Sequence, residues 1–299
     1  MTTPRAHWPT YAALAVGIVA VSASGPMIAA TAAPALAIAF WRNAMAVGAL
    51  SPVVAVRRRE ELGALTRRQI ALCVLAGVAL AAHFGTWVPS ATLTSVATAT
   101  ALATTQPIWT GVFAFFRGEK LGRTMWLGIW LAFAGAVVAT GADLNGSPEA
   151  LLGDGLALLG GLFAAVYVSF GEKVRADVTT TTYTWLCYGV CAFVLLAVCV
   201  LWDVPLIGYP SGAWLLLVAL TIGPQLLGHS LFNFSLRRVP AHVLSVLILL
   251  EVPGAALLGW LILDQVPAAS SLPGLALLVT GVAVVVLSPR LTARRSSRG

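Results

Sequence analysis

Ten apolar segments, each close to the length that crosses a bilayer, take up almost the whole of this chain and leave it little choice of fold. A span needs about 20 mostly apolar residues to cross roughly 30 Å of hydrocarbon, and charges mark where it must end. The segments run over residues 10–31, 34–56, 69–89, 93–116, 124–142, 151–171, 181–202, 212–235, 240–263 and 271–288. With 59% of residues hydrophobic and only 10% charged, a soluble core has no use for so much apolar surface. In lipid, helices satisfy their own backbone groups segment by segment, and the alternating pattern of a membrane barrel is absent here. The expected fold class is an all-α integral membrane protein with ten transmembrane helices.

The segments form two sets. Pro107, Glu119, Gly128 and Gly135 return as Pro253, Gln265, Gly274 and Gly281, each moved by the same 146 residues (253 − 107 = 146, and likewise for the others). Glycine is common in this chain, so one match carries little weight, but three identities and a Glu/Gln pair at one offset indicate an internal repeat. The first five-helix repeat is placed at residues 10–142 and the second at 151–288, with tails at 1–9 and 289–299. Five spans per copy is an odd number, so the second copy is inverted, an arrangement common in secondary transporters. Gly128 and Gly135, with Gly274 and Gly281, read as a small-residue surface for close helix packing.

Charge sets the orientation. Arg57, Arg58, Arg59, Arg67, Arg68, Arg117, Lys120, Arg123, Lys173, Arg175, Arg237 and Arg238 fall in alternate loops, and Arg5, Arg290, Arg294, Arg295 and Arg298 join that side. By the positive-inside rule both termini are cytoplasmic. The remaining loops carry Asp143, Glu149, Asp154, Asp203 and Asp264 without Lys or Arg. The net charge of +7 is thereby explained by topology and a basic tail on an anionic leaflet, so no nucleic-acid partner is expected. The N-terminal apolar stretch with Ala29-Ala30-Thr31-Ala32-Ala33 imitates a signal peptide, but it exceeds a signal core in length and its removal would delete the first helix of a repeat. Trp8, Tyr11, Tyr183 and Trp185 on one side, with Trp87, Trp202, Tyr209, Trp214 and Trp260 on the other, fit an interfacial aromatic belt. Cys73, Cys187, Cys191 and Cys199 all fall inside spans as small apolar residues. Two thiols sharing a face at Cys187 and Cys191 lack the four ligands of a structural zinc site, so no metal or other cofactor is expected.

Within the spans the polar residues stand out. Of 18 basic residues only Arg42 lies well inside a span, and of 11 acids only Glu251 lies at mid-membrane. A charge at the bilayer centre costs at least about 2.5 to 3.5 kcal/mol on insertion scales, so it normally faces a cavity or a partner. Each has a structural alternative, an internal salt bridge or, for Arg42, snorkelling to the interface. His83, Trp87 and Ser90 share one face of the third span. Gln225, His229 and Asn233 recur every four residues along the eighth and form a polar stripe that belongs inside the bundle. Thr94, Thr98, Thr105 and Trp109 share a face of the fourth, where Thr also has the option of bonding its own backbone. Kinks are expected at Pro26, Pro107, Pro224 and Pro253, because proline frees carbonyls and bends helices.

Phe40-Trp41-Arg42, His83-Phe84 with Trp87 and Ser90, Thr94-Ser95-Val96-Ala97, Gln106-Pro107, Glu119-Lys120-Leu121, Gly153-Asp154, Gly228-His229 with Asn233, and Glu251 together resemble an EamA-type member of the drug/metabolite transporter superfamily. The resemblance spans about residues 10–288. It implies two inverted five-helix repeats around a central cavity lined by helices one, three, four, six, eight and nine, in a bacterial inner (cell) membrane. It also implies export of amino acids, other metabolites or toxic compounds by alternating access. The chain departs from the family pattern at Glu251-Val252-Pro253, where relatives often carry Glu-Pro, and at Gln265, where they carry Glu.

The expected function is a secondary transporter, with a small molecule, protons and the lipid bilayer as partners and a monomer, or alternatively a homodimer, as the unit. Glu251 is the candidate for coupling to protons or for holding a substrate amine. His83 and His229 are placed to bond substrate or relay protons, while Trp87, Gln225, Asn233, Thr98, Thr105, Trp109 and Tyr167 shape the pocket. Arg42 either faces a substrate carboxylate or pairs with Glu251. The rivals are a proton-independent facilitator, a membrane enzyme using His83, His229 and Glu251, and a non-transporting chaperone or sensor. The enzyme reading lacks a compact catalytic motif such as HExxH, and the last needs a soluble partner-binding surface, whereas the longest cytoplasmic loop is only about a dozen residues.

Overall fold

The structure, a computed structural model, describes residues 8–94, 99, 102–140, 147–263 and 269–296. Every regular element among them is helical. The first half comprises α1 (Trp8–Ser22), α2 (Ser24–Ala30), α3 (Ala35–Arg57), the short α4 (Arg59–Ala64), α5 (Arg67–Leu93), α6 (Gln106–Phe116) and α7 (Arg123–Thr140). The second comprises α8 (Pro148–Arg175), α9 (Thr180–Leu201), α10 (Ser211–Leu220), a π-helical segment (Thr221–His229), α11 (Ser230–Ser235), α12 (Ala241–Ile248), α13 (Glu251–Leu263), one 3-10 turn (Ala269–Ser271) and α14 (Leu272–Ser296).

Helix starts follow from local chemistry. Thr66 opens α5 with a capping box: its hydroxyl accepts from the Gln69 amide at 3.2 Å and its own amide donates to Gln69 Oε1 at 2.9 Å. Ser147 opens α8 by accepting from the Ala150 amide at 3.1 Å, with Pro148 in the first turn. Eight helical stretches are long and apolar enough to cross a membrane, and Arg123–Ala139 is a shorter apolar one. The fourth expected segment runs partly through residues outside the described set and is represented by the 11-residue α6.

Packing respects the repeat. α7 lies along α14, α3 along α9, and α6 against α12, each pair joining equivalent helices of the two halves. α5 lies along α8 while α1 lies along the π segment and α11, and these two pairs exchange when the halves are exchanged. The glycines repeated at the 146-residue offset make the first contact possible. A Cβ on Gly135 would lie 2.2 Å from the Leu278 amide nitrogen, and one on Gly281 would lie 2.3 Å from that of Ala132. Only glycine allows the two backbones to come this close.

Not every aromatic residue sits at an interface. Trp8, Tyr11, Trp202 and Trp260 are exposed, as an interfacial belt requires, but Tyr183 is completely buried and is no anchor. It faces Gly171, where a Cβ would meet its hydroxyl at 2.8 Å, so the missing side chain makes room for the ring. The four cysteines are buried and unbridged.

Two polar ties close one end of the bundle. Arg117 pairs with Glu119 at 2.9 Å and Glu172 at 3.4 Å, and Glu172 also accepts from the Ala241 amide at 3.0 Å, joining the α6–α7 turn to α8 and α12. On α4, Glu61 accepts from the Thr179 amide at 2.7 Å and from the Thr179 and Thr182 hydroxyls, each at 2.6 Å, and so caps α9 from another part of the chain. Desolvation pushes the Glu61 carboxyl up, but the Thr179 and Thr182 hydrogen bonds and the Arg58 charge outweigh it, leaving its pKa below the ordinary 4.5. A depressed carboxyl stabilises the fold above its unfolded value and loses that contribution as pH falls through the lowered one. Thermal stability in detergent is therefore expected to drop below pH 4.5. Glu61→Ala, measured by the same melt, is expected to cost about 1 kcal/mol at neutral pH and to flatten that acid-side drop.

Candidate functional site

Four of the expected spans are interrupted, and their interruptions converge. The first breaks at Ala23 between α1 and α2; α6 begins after a turn at Thr104 and Thr105; the eighth expected span unwinds into the π segment; and α12 and α13 separate at Leu249 and Leu250. Each break has a local cause. Pro107 and Pro253 stand in the first turns of α6 and α13, where a missing amide is tolerated. Pro224 lies inside the π segment and Pro26 inside α2, just past the first break. Freed of a partner at position 107, the Ala103 carbonyl lies against Gly161, where a Cβ would come within 2.8 Å of it.

Around these breaks is a cavity of about 80 Å³. Its polar lining is Ser24, Arg42, His83, Trp87, Thr104, Gln106, Tyr167, His229 and Glu251, and its apolar lining includes Val21, Phe84, Val168, Phe232 and Ile248. Thr104, Gln106, Ile248, Leu249 and Glu251 come from the equivalent breaks of the two halves, beside the repeated prolines. Six of the expected residues therefore meet in one space: Arg42, His83, Trp87, Tyr167, His229 and Glu251. Arg42 and Glu251 line it without forming an ion pair with each other.

Gln225 and Asn233 stand one layer back, and the polar stripe faces the interior as its spacing implies. Gln225 Oε1 accepts from Arg42 Nε at 2.8 Å, and its amide group donates to Asn43 Oδ1 at 3.0 Å. Asn233 Nδ2 donates to the Tyr167 hydroxyl at 2.7 Å. Both orient a lining side chain instead of reaching the cavity themselves. Thr105 bonds the Leu102 carbonyl at 2.8 Å and, like Trp109, is not part of the lining, while Thr98 lies outside the described residues. The threonine thus takes the backbone-bonding option.

Ring contacts shape the wall. His83 stacks on Trp87 with centroids 6.0 Å apart and planes 4° from parallel, and His229 meets Phe84 edge-on at 5.5 Å. His83 Nδ1 is 2.9 Å from the Gly160 carbonyl, which can only accept, so that nitrogen carries the hydrogen and Nε2 is left as an acceptor in the neutral ring. Trp87 also lines a second pocket of about 220 Å³ bounded by Gly25, Ile28, Thr31, Ile38 and Thr92, and forms a wall between the two spaces. Among the described residues, no three of His, Cys, Asp and Glu converge as a metal site.

Sequence reasoning did not single out Ser24, Phe84, Thr104, Gln106 or Phe232 as lining. Phe84 and Phe232 look like ordinary apolar helix residues. Gln106 beside Pro107 carried a usable signal, being a polar residue next to an expected kink.

The family model described as the EamA-like transporter family matches this chain twice, over residues 8–141 and 151–287. No curated protein matches it. A solved structure described only as the crystal structure of a protein is similar with a TM-score of 0.77 at 23% sequence identity, over 94% of this chain and 99% of that one, which is a likeness of fold.

Proposed function

This chain belongs to the EamA-like transporter family, and from that premise we propose that it is a secondary transporter using alternating access through the central cavity. Its cargo is a small metabolite, such as an amino acid, or a toxic compound; it moves outward, and protons are the coupling ion. Ten crossings arranged as two inverted sets of five suit the two-fold pairing of helices, since an odd number of crossings turns the second copy over. Both termini then lie in the cytoplasm of a bacterial cell whose inner membrane holds the protein, with basic loops inside.

The observation that carries this reading is the cavity itself. It forms where four helices are interrupted, and it gathers Arg42, Glu251 and two histidines at membrane depth. Charged side chains are costly there, and irregular backbone is tolerated where it lines a cavity. The purified protein in liposomes, given a panel of amino acids and small metabolites, is expected to move at least one of them, faster with an imposed pH gradient. Movement of none under any solute or pH gradient removes the transport reading. Equal rates with the pH gradient collapsed convert it to a proton-independent facilitator.

A further inference from the structure

We propose that the central cavity selects substrates carrying a carboxylate, which binds Arg42, with a compact apolar remainder against the rings beside it. This rests on the transport reading and narrows it: the carboxylate is required, and an amino group is optional.

Arg42 stands in the first half of α3 with 1% of its surface exposed, and its guanidinium carries its charge at neutral pH. All its partners are neutral. Nε donates to Gln225 Oε1 at 2.8 Å, Nη1 reaches the Ser24 hydroxyl at a long 3.4 Å, and the central carbon lies 4.5 Å from the Phe84 ring centroid. Nη2 is buried with no hydrogen-bond partner. Among the described residues no carboxylate forms an ion pair with Arg42. A buried guanidinium usually has an anion bonded to it; here Glu251 lines the same cavity, yet no described carboxylate pairs with Arg42.

The group is also held ready. Gln225 is itself fixed by Asn43, whose amide donates to the Ala39 carbonyl at 2.9 Å, so Nε is immobilised and the fork is oriented before any ligand arrives. The unbonded Nη2 and the weakly engaged Nη1 form one edge of that fork, the edge that matches the two oxygens of a carboxylate. Phe84, Trp87 and Phe232 supply apolar surface for the rest of the molecule. The cavity of about 80 Å³ holds roughly six waters at 10–15 Å³ each, which points to a skeleton of a few carbons. Glu251 on the same lining disfavours a dianion and accommodates an amine.

Three probes share one branched skeleton and differ in charge: valine, isovalerate (valine without its amine) and isobutylamine (valine without its carboxylate). Binding to the purified protein, measured by calorimetry in nanodiscs, is expected for both acids within about tenfold of each other, with isobutylamine at least ~30-fold weaker. Arg42→Gln is expected to bring the acids down to the isobutylamine level, and Arg42→Lys to restore part of the difference, because ammonium keeps the charge but not the fork. The proposal is overturned if isobutylamine binds as well as the acids, if neither acid binds at millimolar concentration, or if Arg42→Gln binds the acids unchanged. A purely structural Arg42 lowers the melting temperature of the variant without any charge preference in the wild type. The wild-type series stands even if the variant fails to fold. Because it reads binding alone, its failure leaves transport of some other solute in liposomes intact.

Discussion

Gly135→Leu is expected to eliminate well-folded protein, whereas Gly155→Ala leaves yield and melting temperature unchanged or slightly raised. At Gly135 the first added atom would stand 2.2 Å from the Leu278 nitrogen, 2.6 Å from its Cα and 2.8 Å from the Gly274 carbonyl oxygen. All three belong to backbone, so no rotamer change relieves the contact, and α7 and α14 must move apart along their length. Ordinary core overpacking costs about 1–3 kcal/mol where side chains can yield; here they cannot, and the cost is greater. Alanine at Gly274 or Gly281 is expected to act in the same direction, since their Cβ atoms would lie 2.2 and 2.3 Å from the Ala139 and Ala132 nitrogens. Gly155 is helical and has nothing within 4 Å of a built Cβ, so alanine there gains up to about 1 kcal/mol of helix propensity. Fluorescence-detected size exclusion and thermal melts of the two variants side by side check the contrast. A monodisperse Gly135→Leu protein with a wild-type melting temperature overturns this account of the α7–α14 contact.

Glu251→Gln is expected to reduce pH-driven uptake to the rate seen with no pH gradient while leaving the protein folded. The change keeps the size of the side chain and removes its exchangeable proton and charge. Glu251 lies at the first turn of α13, beside the break that lines the cavity, where the proposed alternating access would change its exposure. The measurement is uptake into liposomes with and without an imposed gradient, for the wild type and the variant. Full pH-driven uptake by Glu251→Gln would sink the coupling role and transfer attention to His83 and His229, which line the same space.

The legible part of the candidate site was its intramembrane polar set. Arg42, His83, Trp87, Tyr167, His229 and Glu251 meet around one cavity although they come from helices far apart in the chain. What spacing could not distinguish was depth. Gln225 and His229 occupy one stripe, yet one sits behind Arg42 and the other lines the cavity, because α3 covers the first and not the second. Thr105 and Trp109 carried the same periodic signal as true lining residues, but α6 begins at Gln106 and turns them away from the cavity. Tyr183 read as an interfacial anchor because its position near a span end fits the belt, while Gly171 on another helix made a buried slot for it.

Sequence by itself determined the membrane class, the helical fold, the duplication and the glycines on which the repeat-equivalent helices meet. Those features rest on constraints that act segment by segment: the thickness of hydrocarbon, the need to satisfy each backbone amide in lipid, and the price of charge in the bilayer. Only the tertiary structure decided that four helix breaks converge, that Arg42 and Glu251 share a cavity without pairing, and that Trp87 divides two spaces. Each of those depends on which helix lies against which, and a polar periodicity defines the buried face of a helix without naming the neighbour that covers it.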